Sequence, residues 1–274
     1  DKDNNSLYEI SIGSENGSVE ANTNGSGMFA YLDNVSTLDL SGLDTSNMTS
    51  MSRMFYKSTS LKNIDVSGFD TSKVVSMYGM FWECSNLITI DVSSFDVSKV
   101  KNMSLMFNNC SLLEKLDLSN FNTQSLEGSI YLMFGNCSNL ISLDLSSFNT
   151  NKVTSMGYMF YNCRKLSNLN VSNFDISNVT NMEFMFDNCN SLEKLDLSNF
   201  DTNKVTNINY LFFNCSKLKT IYVSNLWSIS SVSTSVNMFT SCTSLVGTVP
   251  FDSSKTDVSM ANYTNGYLTY KSNN

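Results

Sequence analysis

Seven cysteines, 25 carboxylates and no histidine set the chemistry open to this 274-residue chain. Without histidine there is no ordinary general base at neutral pH, no Ser–His or Cys–His pair, and none of the commonest metal ligand. The cysteines are Cys84, Cys110, Cys137, Cys163, Cys189, Cys215 and Cys242, spaced by one sequence repeat each. Metal ligands must converge on a point, usually through C-x-x-C spacing, and that spacing is absent. A disulfide needs Cα atoms within about 7 Å, closer than the roughly 8–10 Å between packed helices. The expectation is a ladder of small buried thiols filling a corner between helix and strand, bound to no metal and no cofactor. Leu32 and Ser58 hold the same position in the first two units, which fits packing better than chemistry.

The carboxylates carry more promise. Asp39, Asp65, Asp91, Asp117, Asp144, Asn170, Asp196 and Tyr222 share the middle of an L-D-L-like triplet. In a strand this residue points away from the core, so together they line an exposed sheet face. Unit charges about 4.8 Å apart repel by about 0.9 kcal/mol even in a water-like dielectric. Such a stripe needs compensation, from Lys62, Lys115 and Lys194, from bound cations, or from protonation of alternate members. Its functional reading is a concave acidic stripe that receives a basic or hydroxyl-rich partner. Its structural reading is a ladder bonded to neighbouring backbone and to the serines repeating beside it, Ser41 through Ser224.

The elements that place these residues come from an internal repeat. Met-Phe recurs at Met28, Met54, Met80, Met106, Met133, Met159, Met185 and Met238, with Leu211-Phe212 in the one gap, at intervals of 26 or 27 residues. Within a unit, Val100, Met103, Met106, Phe107 and Cys110 fall at the spacing of one helix face. Leu116 to Ser119 alternate like a short strand. Between them F-D-T-S, as at Phe69–Ser72, supplies capping side chains for the helix. One unit cannot bury its own apolar face, so units must stack. The expected fold is α/β, a solenoid of about nine 26-residue strand-turn-helix units, with a parallel sheet on the concave side and helices on the convex side. Residues 1–27 form an N-terminal cap, with a strand at Leu7–Ile12 and a surface loop over Ser14–Gly27. Residues 28–250 form the solenoid, and 251–274 a C-terminal cap or tail. Pro250, the only proline, is expected to end the ladder.

The strand segment L-x-x-L-D-L-S-x-F resembles that of leucine-rich repeats. With F-D-T-S-x-V-T-x-M-x-x-M-F-x-x-C added, residues Gly27 to Pro250 are similar to the BspA-like leucine-rich-repeat proteins of bacterial cell surfaces. Thr256–Leu268 resembles the closing segment after the last repeat of that family. The resemblance implies a surface-displayed binding or adhesion module at an extracellular location.

Flanking residues of the Met-Phe pairs should point outward by helix phase. Among Trp82, Leu105, Tyr158, Tyr161, Phe184, Tyr210 and Phe213, five fall between Tyr158 and Phe213 and define a candidate convex aromatic patch: Tyr158, Tyr161, Phe184, Tyr210 and Phe213. A net charge of −8 argues against nucleic acid. No apolar run approaches the roughly 18 residues of a membrane span. No signal peptide is visible at Asp1, as expected of a mature or trimmed segment. Gly-rich phosphate loops and H-E-x-x-H are absent, and carboxylate pairs occur only as repeats, so catalysis is not expected. Two functions remain: adhesion or recognition of a protein or glycan on a host or neighbouring cell through the sheet face, or a structural spacer with no ligand of its own.

Overall fold

A computed structural model describes residues 8–13 and 17–272. It is a parallel β-solenoid of about eight turns, and it corrects the expected α/β architecture: among the described residues no α-helix forms, on the convex side or elsewhere. The described residues include one single-turn 3₁₀ segment, Val258–Met260, near the C-terminal end.

The segment predicted as helix shows why. In the unit starting at Val100, the N–H groups of Leu105, Phe107 and Asn109 donate to the carbonyls of Tyr131, Met133 and Gly135 in the next coil, at 2.9, 2.9 and 2.8 Å. The alternate N–H groups of Met106, Asn108 and Cys110 close tight turns onto Met103, Leu105 and Phe107. No N–H is left for the i−4 ladder of a helix. Two residues per unit adopt the left-handed conformation, Leu105 (φ 62°) and Asn109 (φ 60°) here. The chain thus zigzags through successive turns, and the spacing read as one helix face marks where it turns inward.

Asn136, Asn162, Asn188 and Asn214 repeat the second left-handed position, with φ of 58–60°. Asparagine tolerates this region better than other non-glycine residues. Its amides join coils as well: Asn162 donates to Asn136 at 3.0 Å, and Asn214 to Asn188 at 3.1 Å. The F-D-T-S corner also works differently from a helix cap. Asp70 accepts the N–H of Ser72 at 2.9 Å in an Asx turn. Buried Thr71 donates its hydroxyl to the Asp96 carbonyl at 3.0 Å and accepts the Asp96 N–H at 2.8 Å.

The core is a ladder of like side chains. Phe29, Phe55, Phe81, Phe107, Phe134, Phe160, Phe186, Phe212 and Phe239 stack with centroids 5.4–6.0 Å apart and planes within 19°. A second stack runs Phe121–Phe148–Phe174–Phe200 at 6.3–6.5 Å. All seven cysteines are buried free thiols. Each donates to the carbonyl of the phenylalanine one coil back, as Cys110 Sγ to Phe81 at 3.1 Å. Ser58 does the same to Phe29 at 2.6 Å, so the position holds a small hydrogen-bonding side chain at a corner between turns.

Leu7 and Ser14–Asn16 lie outside the described residues. Tyr8–Ser11 pairs in parallel with Val35–Asp39. The rest of the expected Ser14–Gly27 loop belongs to the first coil: Val19–Glu20 pairs with Leu43–Asp44, and Asn24 bridges Ser50. At the other end the strand seat beside Tyr222–Val223 is taken by Thr269–Tyr270. Tyr267 stands edge-on to Phe239 at 5.3 Å and closes the phenylalanine stack, and Trp227 Nε1 donates to the Ala261 carbonyl at 3.0 Å.

Candidate functional site

The sheet face brings the predicted stripe into register where strands form. Asp144 pairs with Asn170, and Asp196 with Tyr222, one coil apart in each case. Asp39, Asp65, Asp91, Asp117 and Asp144 are exposed, and Asn170, Asp196 and Tyr222 are half-buried. The polar side chains from Asp39 to Asp196 are organised alike. Each accepts the N–H of the serine two residues on, Ser41, Ser67, Ser93, Ser119, Ser146, Ser172 or Ser198, at 2.9–3.1 Å.

These bonds answer the repulsion problem. The serine backbone at Asp39, Asp117 and Asp144, and the serine hydroxyl at Asp65 and Asp91, hold each carboxyl below the ordinary carboxylate range. Repulsion from neighbouring rungs acts on Asp65, Asp117 and Asp144 and is the weaker effect. Among the described residues, ion pairing enters at one rung. At Asp196 partial burial opposes ionisation, but the Lys271 ammonium and Ser198 outweigh it, so this carboxyl too is lowered. Lys271, rather than Lys194, makes the ion pair with Asp196 and also lies 5.9 Å from the Tyr222 ring centroid. A shallow depression of about 400 Å³ crosses the stripe between Asp144 and Asn170. Among the described residues, no group of three or more carboxylates or thiols converges as a metal site.

On the turn face, the five predicted aromatic residues come together and are half-buried. Tyr158, Phe184 and Tyr210 stack at 4.5 and 4.4 Å with planes within 18°. Tyr161 and Phe213 meet Tyr158 and Tyr210 edge-on at 5.5 Å. The rings pack their faces on one another, and burial pushes the Tyr158 hydroxyl up to about 12. Leu105, expected to flank outward, is buried.

Two features of this face were not anticipated. Asp187, only 3% exposed, sits where neighbouring coils carry Tyr161 and Phe213, and its Oδ1 has no hydrogen-bond partner. Burial pushes its carboxyl up to about 7. In the first to third units lies another aromatic group, Tyr31, Tyr56, Tyr78 and Trp82, with the cations of Arg53 and Lys57 over its rings. The sequence signals were present: a lone carboxylate at an otherwise uncharged repeat position, and an arginine between glycines at the same position of adjacent units.

Against known proteins, the model of a family described as "Mycoplasma protein of unknown function, DUF285" matches residues 23–140 and 128–250. No curated protein matches the chain. A crystal structure of a leucine-rich repeat protein from Bacteroides ovatus ATCC 8483 is similar at 19% identity and a TM-score of 0.43, over 89% of this chain and 78% of that one.

Proposed function

The chain belongs to the DUF285 family, whose repeats are of the BspA-like type, and from that premise we propose that it is a non-catalytic recognition module of a bacterial cell surface. It binds a protein or glycan of a host or neighbouring cell through the acidic stripe of its sheet face. The observation that carries this reading is the run of five exposed carboxylates, Asp39 to Asp144, each held ionised by its own serine. Repeated charge in fixed orientation favours a basic or hydroxyl-rich partner that is itself extended. No helix of the described residues is long and apolar enough to cross a membrane.

A spacer without a ligand is the second reading, and the unbroken phenylalanine stack from Phe29 to Phe239 favours it by making a stiff rod. The two separate in one binding experiment. Purified protein is tested against matrix proteins, glycans and bacterial surface polymers beside the triple variant Asp91→Lys, Asp117→Lys, Asp144→Lys, with circular dichroism confirming its fold. Recognition through the stripe predicts binding by the parent and at least about tenfold weaker binding by the variant. Equal binding by both refutes the stripe, and no binding by either leaves the spacer.

A further inference from the structure

The position just before the Met of each Met-Phe pair is a left-handed backbone site along the turn face. In chain order it holds Gly27, Arg53, Gly79, Leu105, Leu132, Tyr158, Phe184, Tyr210 and Asn237. In most coils a large side chain covers the surface here. Arg53 stands instead between two glycines. On the Gly79 side a Cβ would touch the Trp82 ring at 3.4 Å and Arg53 Cγ at 3.5 Å, ordinary contact distances that leave no room there for a larger side chain between arginine and tryptophan. On the Gly27 side nothing lies within 4 Å. The result is a notch of about 480 Å³ lined by Ser26, Gly27, Ser52, Arg53 and Tyr78.

Its chemistry is specific. The Arg53 guanidinium carbon lies 5.2 Å from the Tyr78 ring centroid, 5.6 Å from Trp82 and 5.9 Å from Tyr56, a wall that fixes the fork's orientation. Among the described residues, no ion pair or side-chain hydrogen bond engages it. The neighbouring Lys57 ammonium faces Glu83 at 3.8 Å. An unpaired guanidinium is therefore held ready on a protein of net charge −8. Two of its lining residues, Ser26 and Ser52, belong to a hydroxyl chain: Ser26 Oγ lies 3.0 Å from Ser50 Oγ, Ser50 Oγ donates to Ser52 Oγ at 3.1 Å, and Ser52 Oγ lies 2.8 Å from Ser76 Oγ.

We propose that this notch is a binding site for an acidic sugar, a hydroxylated ring bearing a carboxylate or sulfate, at the end of a glycan chain. The guanidinium takes the oxyanion through two parallel N–H bonds. The serine hydroxyls, which both donate and accept, exchange bonds with ring hydroxyls. The bare Gly27 backbone lets the ring lie close, with the Tyr78 ring against its C–H face. Two cations are too few for a nucleic-acid backbone. The site lies on the turn face and is independent of the acidic stripe.

Titration calorimetry and ligand-observed NMR would use a sialic-acid-terminated trisaccharide, a glucuronate disaccharide and a sulfated disaccharide as probes, with lactose as the neutral control and an oligoglutamate peptide as the acidic non-sugar. The expected result is saturable binding of at least one acidic sugar, the carboxylate and sulfate arms showing which oxyanion it is, and none of lactose. Arg53→Gln should weaken binding roughly tenfold or more. Arg53→Lys, which keeps the charge without the fork, should recover only part of it. The Asp91, Asp117, Asp144 triple variant should bind the sugar as the parent does. Binding of lactose as tight as the acidic sugars, binding untouched by Arg53→Gln in a folded variant, preference for oligoglutamate, or no binding of any acidic sugar would each overturn the proposal.

Discussion

Asp187→Asn should make this protein more stable, and only above mildly acidic pH. Asp187 is 3% exposed, its Oδ1 accepts no hydrogen bond, and the Asn190 Oδ1 nearby in sequence is likewise buried and unpaired. The titratable groups that feel its charge are Tyr158 and the thiols of Cys189, Cys215 and Cys242, and none is a cation that could offset it. Burial raises its carboxyl from 3.8 to about 7. The folded state therefore holds a proton that the unfolded state has already released, and stability falls as pH rises between those two values. At about 1.36 kcal/mol per unit, roughly three units give about 4 kcal/mol, fully felt above pH 7 and nearly absent at pH 4. Asparagine keeps the shape and never ionises. It already occupies the equivalent position as Asn108, whose Oδ1 accepts from Asn136 at 3.3 Å. Urea unfolding of parent and variant at pH 4 and about pH 8.5 checks this through the midpoints, with m-values confirming that the transitions are comparable. The variant should gain about 4 kcal/mol at the higher pH and less than about 1 kcal/mol at the lower. A gain independent of pH, or none at alkaline pH, refutes the argument that an unpaired buried charge sits at Asp187.

Two further outcomes follow from the coil geometry. Burial pushes the thiols of Cys84, Cys137 and Cys242 up to about 12 and raises the others as well, so a thiol reagent at pH 8 should leave the native protein unmodified and label all seven cysteines once it is denatured. Rapid native-state labelling would contradict the buried ladder. Gly42→Ala places a methyl group on the Ile12 carbonyl and the Gly13 backbone, which cannot retreat as a flexible side chain would. It should cost about 1–3 kcal/mol and open the Ile12 N–H, bonded to Asp39 at 3.0 Å, to hydrogen exchange, and unchanged protection there would refute the close approach.

What the sequence made legible, and what it hid, separates cleanly in the Met-Phe segment. The period and the inward residues could be read directly, because any chain that stacks in register must repeat its core: Met103, Met106, Phe107 and Cys110 are all fully buried. Their spacing was misread as a helix because apolar residues three or four apart state only how often the chain turns inward. They do not state where its N–H groups go. The discriminating signal lay in the other residues, the asparagines recurring at one fixed position, Asn109, Asn136, Asn162, Asn188 and Asn214. A helix interior has no use for them, and a left-handed turn does. The D-x-S spacing of the stripe was equally readable as an Asx turn. Asp187 and Arg53 were harder, since their meaning depends on which residues the adjacent coils place beside them. Each coil of this solenoid gives its N–H groups to its neighbour, so a repeat's inward residues are committed to holding the stack and its outward consensus residues make a surface that repeats from coil to coil. A local site arises where one coil departs from the rest, and Arg53 between Gly27 and Gly79 is such a departure: two missing side chains expose a charge that the repeat itself does not need.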